Sequence, residues 1–243
     1  MQRYYTRACN FYFGNQSKIL VNKKKSIPLH QIKEISFDHI EIITRKSKKI
    51  ISINQIKQLP NNLKKKIKKD IKTITKNKKR IKSLNLKSIP KIMGILNITP
   101  DSFSDGGKYF KKGMGYQHAV ELYKSGSDII DVGGESTRPF SKEINLKNEW
   151  KRIKPTIKKL KKKKINISLD TRKSLVMSYG IKLGAKLIND ISGLKFDKQS
   201  INIIKKNNIP FVIHHIQGKP STMQKNPKYK NVLLDIYDYF EER

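Results

Sequence analysis

From Lys91 onward the chain repeats one unit, and that repeat limits the fold more than any other feature of the sequence. A short apolar run is followed by polar turn residues and then by a segment with helical periodicity. Five such runs occur: Ile92 to Ile98, Asp128 to Val132, Ile165 to Leu169, Lys186 to Asn189 and Ile209 to His214. Helical patterns lie between them. Tyr116, Val120 and Tyr123 end near Gly126; Trp150 to Leu160 follows; Leu175, Val176, Tyr179 and Leu183 end at Gly184; Ile201 to Ile204 ends at Asn207-Asn208. Gly or Asn just past the last periodic residue is the usual helix stop. Alternation of this kind, with nearly continuous apolar strands, implies an α/β fold in which a parallel sheet is covered by helices on its outer face.

An open doubly wound sheet would carry a Gly-rich phosphate turn after its first strand. Here Gly106-Gly107 and Gly113-x-Gly115 do not make G-x-G-x-x-G, and G-x-x-x-x-G-K-[ST] is absent from the sequence. A TIM-type (β/α)8 barrel is the better expectation. Such a barrel needs ~250 residues, and the present pattern supplies about five βα units, the last helix running through Tyr237 to Arg243.

Residues 1–90 read differently, and the change falls at Ser88-Ile89-Pro90, where the Pro discourages regular structure before it. The expected domains are therefore a Lys-rich α+β region, 1–90, and a partial barrel, 91–243. The first has an aromatic opening (Tyr4, Tyr5, Phe11, Tyr12, Phe13), a strand-like run from Ile35 to Ile43 and a Lys-rich segment from Asn61 to Leu84. In that segment Leu63, Ile67, Ile71 and Ile74 share one helix face. The spacing predicts a basic amphipathic helix, read as packing its apolar stripe inward with solvated Lys opposite. The competing reading is a helix that docks on RNA or anionic lipid.

The formal charge of +35 and pI near 10.2 would point to nucleic acid. Only eight of the 54 basic residues are Arg, however, and phosphate-reading surfaces favour its planar fork. Nucleic acid is accordingly not the expected partner. The single Cys9 leaves no internal disulfide, and no Cys/His spacing suggests zinc. Met1 to Asn10 lacks an apolar signal core, and no run approaches the ~18 apolar residues of a membrane span. A cytoplasmic protein with no membrane partner is expected.

Barrel enzymes place reacting groups at the C-terminal ends of the strands, where the loops converge. Polar residues end all five runs: Asn97; Asp131 and Glu135; Asp170; Asn189 and Asp190; His215 and Gln217. Singly, each has a structural explanation as a turn or cap residue. The loop Thr99 to Gly107 is long for a strand-to-helix turn and reads as a substrate cover or a plain surface loop. Gly133-Gly134-Glu135-Ser136-Thr137-Arg138-Pro139 combines backbone N–H groups, a hydroxyl and a guanidinium suited to an oxyanion.

Two of these stretches resemble signatures of the dihydropteroate synthase family: Gly94-Ile95-Leu96-Asn97-Ile98-Thr99-Pro100-Asp101-Ser102-Phe103-Ser104-Asp105-Gly106-Gly107 and Ile129-Ile130-Asp131-Val132-Gly133-Gly134-Glu135-Ser136-Thr137-Arg138-Pro139. Ser168-Leu169-Asp170-Thr171, Leu187-Ile188-Asn189-Asp190-Ile191, His215-Ile216-Gln217-Gly218-Lys219-Pro220 and Thr222-Met223-Gln224 follow in the family's order. The resemblance implies condensation of 6-hydroxymethyl-7,8-dihydropterin pyrophosphate with p-aminobenzoate. It implies that Asn97 helps hold Mg²⁺ and pyrophosphate, that Asp170 and Asn189 bind the pterin, and that Asp131 supports that pocket. Thr137, Arg138 and Phe103 would lie near p-aminobenzoate, with Asp105 on the closing loop; Asn97, Asp105 and Arg138 form the implied catalytic set. The family's later pterin-binding Asp, its Ser-Arg-Lys segment and its Arg-x-His do not occur here, and the helices that carry most of its homodimer contacts are missing too. The segment Ile213-His214-His215-Ile216 has His214 where the family more often has Met. An inactive or aggregation-prone chain is expected on its own. Two rivals remain: a pterin-binding methyltransferase, which lacks the full Thr99 to Gly107 loop, and a non-catalytic RNA-binding protein using residues 61–84.

Overall fold

The computed structural model describes residues 3–77, 91–99, 114–136, 138 and 141–243. The chain divides into two compact units, Met1–Lys79 and Arg80–Arg243. The boundary expected at Ser88 to Pro90 lies outside the described residues.

The first unit is an antiparallel sheet with two helices. Strand β1 (Tyr5–Phe13) leads directly into helix α1 (Gly14–Asn22), and the short β2 (Ile27–Leu29) precedes the long β3 (Ile32–Ile43). β3 is the hub, pairing with β1, with β2 and with β4 (Lys48–Ser52). A 3-10 turn, Ile53–Gln58, then hands the chain to α2 (Asn61–Thr75). The apolar stripe expected on this helix is observed: Ile67 is fully buried, and Leu63, Ile71 and Ile74 pack around it against a core that includes Phe37, Ile40 and Ile51. Lys65, Lys68, Lys69 and Lys72 face solvent opposite. The packed reading of this helix therefore accounts for its pattern. The helix stops at Thr75, well short of Leu84.

The second unit alternates strands and helices without exception among the described residues. The order is β5 (Met93–Asn97), α3 (Met114–Lys124), β6 (Ile129–Gly133), α4 (Leu146–Lys162), β7 (Ile167–Asp170), α5 (Ser174–Lys182), β8 (Leu187–Asp190), α6 (Ser200–Asn207), β9 (Phe211–Ile213) and α7 (Val232–Glu242). The strands form one sheet in the order β5-β6-β7-β8-β9, every pairing parallel. Helix stops fall where the sequence places them, with Gly126 at φ 107°, Gly184 at φ 104° and Asn208 at φ 45°. A residue with Cβ is strained at such angles, Asn least among non-glycines. Asn145 and Asn231 begin α4 and α7 by accepting from Asn148 N at 2.9 Å and Leu234 N at 3.1 Å.

Alternation along the strands assigns each residue to one face of this sheet. Leu96, Ile98, Ile130, Val132, Ile167, Leu169 and Ile188 point outward and form one buried cluster with Ala119, Ile153, Ile157, Leu160, Val176, Met177 and Ile204 of the covering helices. Packing is close enough that a Cβ at Gly180 of α5 would overlap the Leu169 side chain. Each fully buried aliphatic side chain contributes ~1.5–3 kcal/mol relative to exposure, so this outer face holds the unit together. No helix among the described residues is long and apolar enough to cross a membrane.

Candidate functional site

The inner face of the same sheet carries the polar residues. Strand register sets Asn97 opposite Gly133, Gly133 opposite Asp170, and Asp170 opposite Asn189. Four neighbouring strands thus end in one row at their C-terminal edge. Gly133 is the gap in that row: a Cβ there would stand 3.1 Å from Asp170 Oδ2 and 3.2 Å from Asn97 Oδ1. The glycine lets both oxygens converge on one space. Asp131 lies two residues before Gly133 on the same face, opposite Ser168, and its Oδ2 accepts from Asn189 Nδ2 at 2.8 Å. Asn189 Oδ1 in turn lies 2.5 Å from His214 Nε2. Asn97, Asp131, Asp170 and Asn189, inferred from separate motifs, are therefore brought together.

The electrostatics of the row follow from its crowding. Burial first, and then the nearby carboxylates Asp131, Glu149, Asp190 and Glu135, push the Asp170 carboxyl well above the usual range. Burial also raises Asp131, against the hydrogen bond from Asn189. Two carboxyls facing one hollow resist ionising together, which favours a ligand that brings N–H donors to them. The combination of carboxylate oxygens with an amide matches a planar heterocycle bearing adjacent donors and acceptors.

Other strand-end residues turn out to be structural. Asp190 accepts from Ser192 N, Ser192 Oγ and Leu194 N at 2.8, 2.7 and 3.0 Å, and so closes the turn after β8. Gln217 spans its loop, donating to Lys228 O at 2.7 Å and accepting from Lys228 N at 3.0 Å. His215 Nε2 sits 3.0 Å from the Tyr229 hydroxyl, and its ring stacks edge-on with Tyr239.

Glu135 anchors the loop that follows β6. It binds Arg172 at 2.9 Å and Lys173 at 3.0 Å and accepts from Ile144 N at 3.0 Å. Lys173 also reaches the fully buried Glu149 at 2.7 Å, and Arg172 stacks on Phe196 at 3.9 Å. Burial opposes ionisation of Glu135 and the two cations outweigh it, leaving that carboxyl below the usual range. This network ties the loops after β6 and β7 to each other. Arg138 lies within the tied loop, where its carbonyl accepts from Ser141 N at 3.1 Å. Phe103, Asp105, Thr137 and most of the Thr99 to Gly107 loop lie outside the described residues.

Two inner-face residues were not assigned a role from sequence, Ser168 beneath Asp131 and His214 beside Asn189. Period-two alternation could have found both, since Ser168 precedes Asp170 by two residues and His214 follows Val212 by two.

The chain was compared with known proteins. Residues 93–243 match a family model described as pterin binding enzyme. Dihydropteroate synthase of Neisseria meningitidis serogroup B is 40% identical over 157 residues, covering 63% of this chain and 55% of that protein. Among solved structures, dihydropteroate synthase of Yersinia pestis with a sulfonamide drug complex is 38% identical with a TM-score of 0.60, covering 63% of this chain and 56% of that one. Burkholderia cenocepacia dihydropteroate synthase complexed with 7,8-dihydropteroate is 32% identical with a TM-score of 0.55, covering 64% of this chain and 52% of that one. The chain thus spans little more than half the length of these relatives. The five parallel βα units correspond to part of the barrel in those enzymes. With the matched segment containing every residue of the strand-end row, the chain belongs to the pterin binding enzyme family.

Proposed function

We propose that the strand-end row binds the pterin ring of 6-hydroxymethyl-7,8-dihydropterin pyrophosphate and that the chain serves dihydropteroate synthesis. The observation that carries this reading is the convergence of Asn97 and Asp170 on the gap at Gly133, with Asn189 next to Asp170 in the row and bonded to Asp131. The relative from Burkholderia cenocepacia supports it through its 7,8-dihydropteroate complex.

In the reaction the amine of p-aminobenzoate attacks the exocyclic methylene of the pterin, a C–N bond forms, the C–O bond to pyrophosphate breaks with its electron pair leaving on pyrophosphate, and the amine proton passes to solvent or to the departing pyrophosphate. Asp170 and Asn189 hold the ring so that the methylene faces the mouth of the sheet. Asp131 keeps Asn189 in place. Arg138, with Thr137 and Phe103, is assigned to the p-aminobenzoate side, and Asp105 to the covering loop. Positioning of two substrates supplies much of the rate in such displacements.

The donor set fits Mg²⁺. Asn97 offers a neutral oxygen at the mouth, and no cluster of three or more His, Cys, Asp or Glu suited to a metal occurs among the described residues. Mg²⁺ is commonly held by one or two protein oxygens together with substrate phosphates. Bound by Asn97 and the pyrophosphate, it would neutralise charge on the leaving group.

Turnover by the isolated chain is not expected. Among the described residues β5 and β9 are the edges of the sheet, and Met93, Ile95 and Val212 on the inner face are exposed. Such a surface is unfavourable in water and prone to association. Calorimetric titration with 6-hydroxymethylpterin tests the reading. Saturable one-to-one binding that falls at least tenfold in Asp170→Asn is the expected result; undiminished binding by that variant would falsify it.

A further inference from the structure

His214 has no part in the mechanism above, yet it is held firmly against Asn189, which does. Its carbonyl accepts from the Tyr239 hydroxyl at 2.8 Å, and the preceding Ile213 is paired with Asp190 in the sheet. A Cβ at Gly193 would stand 3.1 Å from the same carbonyl, so the turn after β8 also packs on this residue. From that fixed backbone the imidazole places Nε2 at 2.5 Å from Asn189 Oδ1, while Asn189 Nδ2 donates to Asp131 Oδ2 at 2.8 Å.

The orientation of an Asn amide is decided by its partners. A carboxylate only accepts, so the NH₂ end of Asn189 turns to Asp131. The oxygen is then left facing His214, which must present Nε2–H. An amide has two N–H groups and two oxygen lone pairs. Here one of each is spent on fixing the group, and one of each remains for a ligand.

We propose that His214 is a positioning residue for pterin recognition: by donating from Nε2 it locks the Asn189 amide so that its remaining N–H and lone pair meet the ring in one fixed order. The inference rests on the reading of the row as a pterin site. A residue without a donor at this point leaves the amide held on one side only, by Asp131, so that the order of its two remaining groups is less firmly fixed. Losing one such hydrogen bond corresponds to about a five- to tenfold loss of affinity.

The test is fluorescence titration of the full chain and two variants with 6-hydroxymethylpterin. His214→Met fills similar space without a donor. His214→Gln returns an N–H donor at nearly the reach of Nε2. The unmodified chain should bind, His214→Met should bind five- to tenfold more weakly, and His214→Gln should recover to within about twofold. Equal binding by His214→Met overturns the inference alone, as does His214→Gln binding as weakly as His214→Met, because the ring would then act only by its bulk. Absence of binding by the unmodified chain overturns the pterin reading and this inference with it. Where His214→Met fails to fold, imidazole ¹⁵N shifts of the unmodified chain decide: the Nε2–H tautomer agrees with the lock, and the Nδ1–H tautomer contradicts it.

Discussion

The two faces of the parallel sheet are built from alternate residues of the same five strands, yet they do opposite work. The outer face is a continuous apolar layer, with Leu96, Ile130, Val132, Leu169 and Ile188 sealed under helices. The inner face places Asp131, Ser168, Asp170 and Asn189 side by side and leaves Ile95 64% exposed. Stability is therefore concentrated on one side, which frees the other to hold polar groups that a closed core would not tolerate unpaired.

The contrast is most open to challenge on the outer side. Leu169→Ala removes a fully buried side chain that packs on Gly180, and unfolding by urea should show a loss of about 3 kcal/mol. A loss below ~1 kcal/mol would mean that the helices do not seal this face.

On the inner side the expected effects fall on binding. Gly133→Ala puts a methyl group between Asp170 and Asn97, so pterin affinity should drop more than ~10-fold while stability changes by less than ~1 kcal/mol. Parallel calorimetric and urea titrations would separate the two.

Asp170→Asn sharpens the comparison through pH. A carboxyl whose folded value is raised contributes stability below the ordinary carboxylate range and loses it as pH rises through the raised value. At neutral pH the variant should thus be as stable as the parent or up to ~1 kcal/mol more stable. That advantage should vanish near pH ~4, the ordinary Asp range. Glu135, held below the usual range, works the other way: its contribution is present above that range and fades as pH falls through its folded value.

The smallest effect is expected at Ile95, where a change to Thr on an exposed position should alter stability by less than ~0.5 kcal/mol. Reduced light scattering at high concentration should accompany it, because an apolar group is removed from an open edge strand.

Much of this arrangement was legible from the sequence because the strands and helices announce themselves by period. The Leu63, Ile67, Ile71 and Ile74 stripe, the Gly126 and Gly184 stops and the five strand positions are local signals. Strand ends were read short at Gly133, Asp170 and Asp190, since polar residues there look like turn residues although the ladder continues through them. In the first unit, α1, β2 and β4 lack a strong period: α1 buries only Ser17, and their order comes from pairing with β3. At the strand ends, place in the repeat made Asn97, Asp131, Asp170 and Asn189 candidates, their roles coming from the resemblance alone. It could not separate them from Asp190 or Glu135, whose partners Ser192, Leu194, Arg172 and Lys173 are a matter of three-dimensional contact.

A crystal structure of the chain with 6-hydroxymethylpterin tests the whole account most directly. The ring should lie at the C-terminal edge of the sheet, bonded to both Asp170 and Asn189, with the hydroxymethyl group toward Asn97. A ring bound elsewhere, or touching neither side chain, would contradict it.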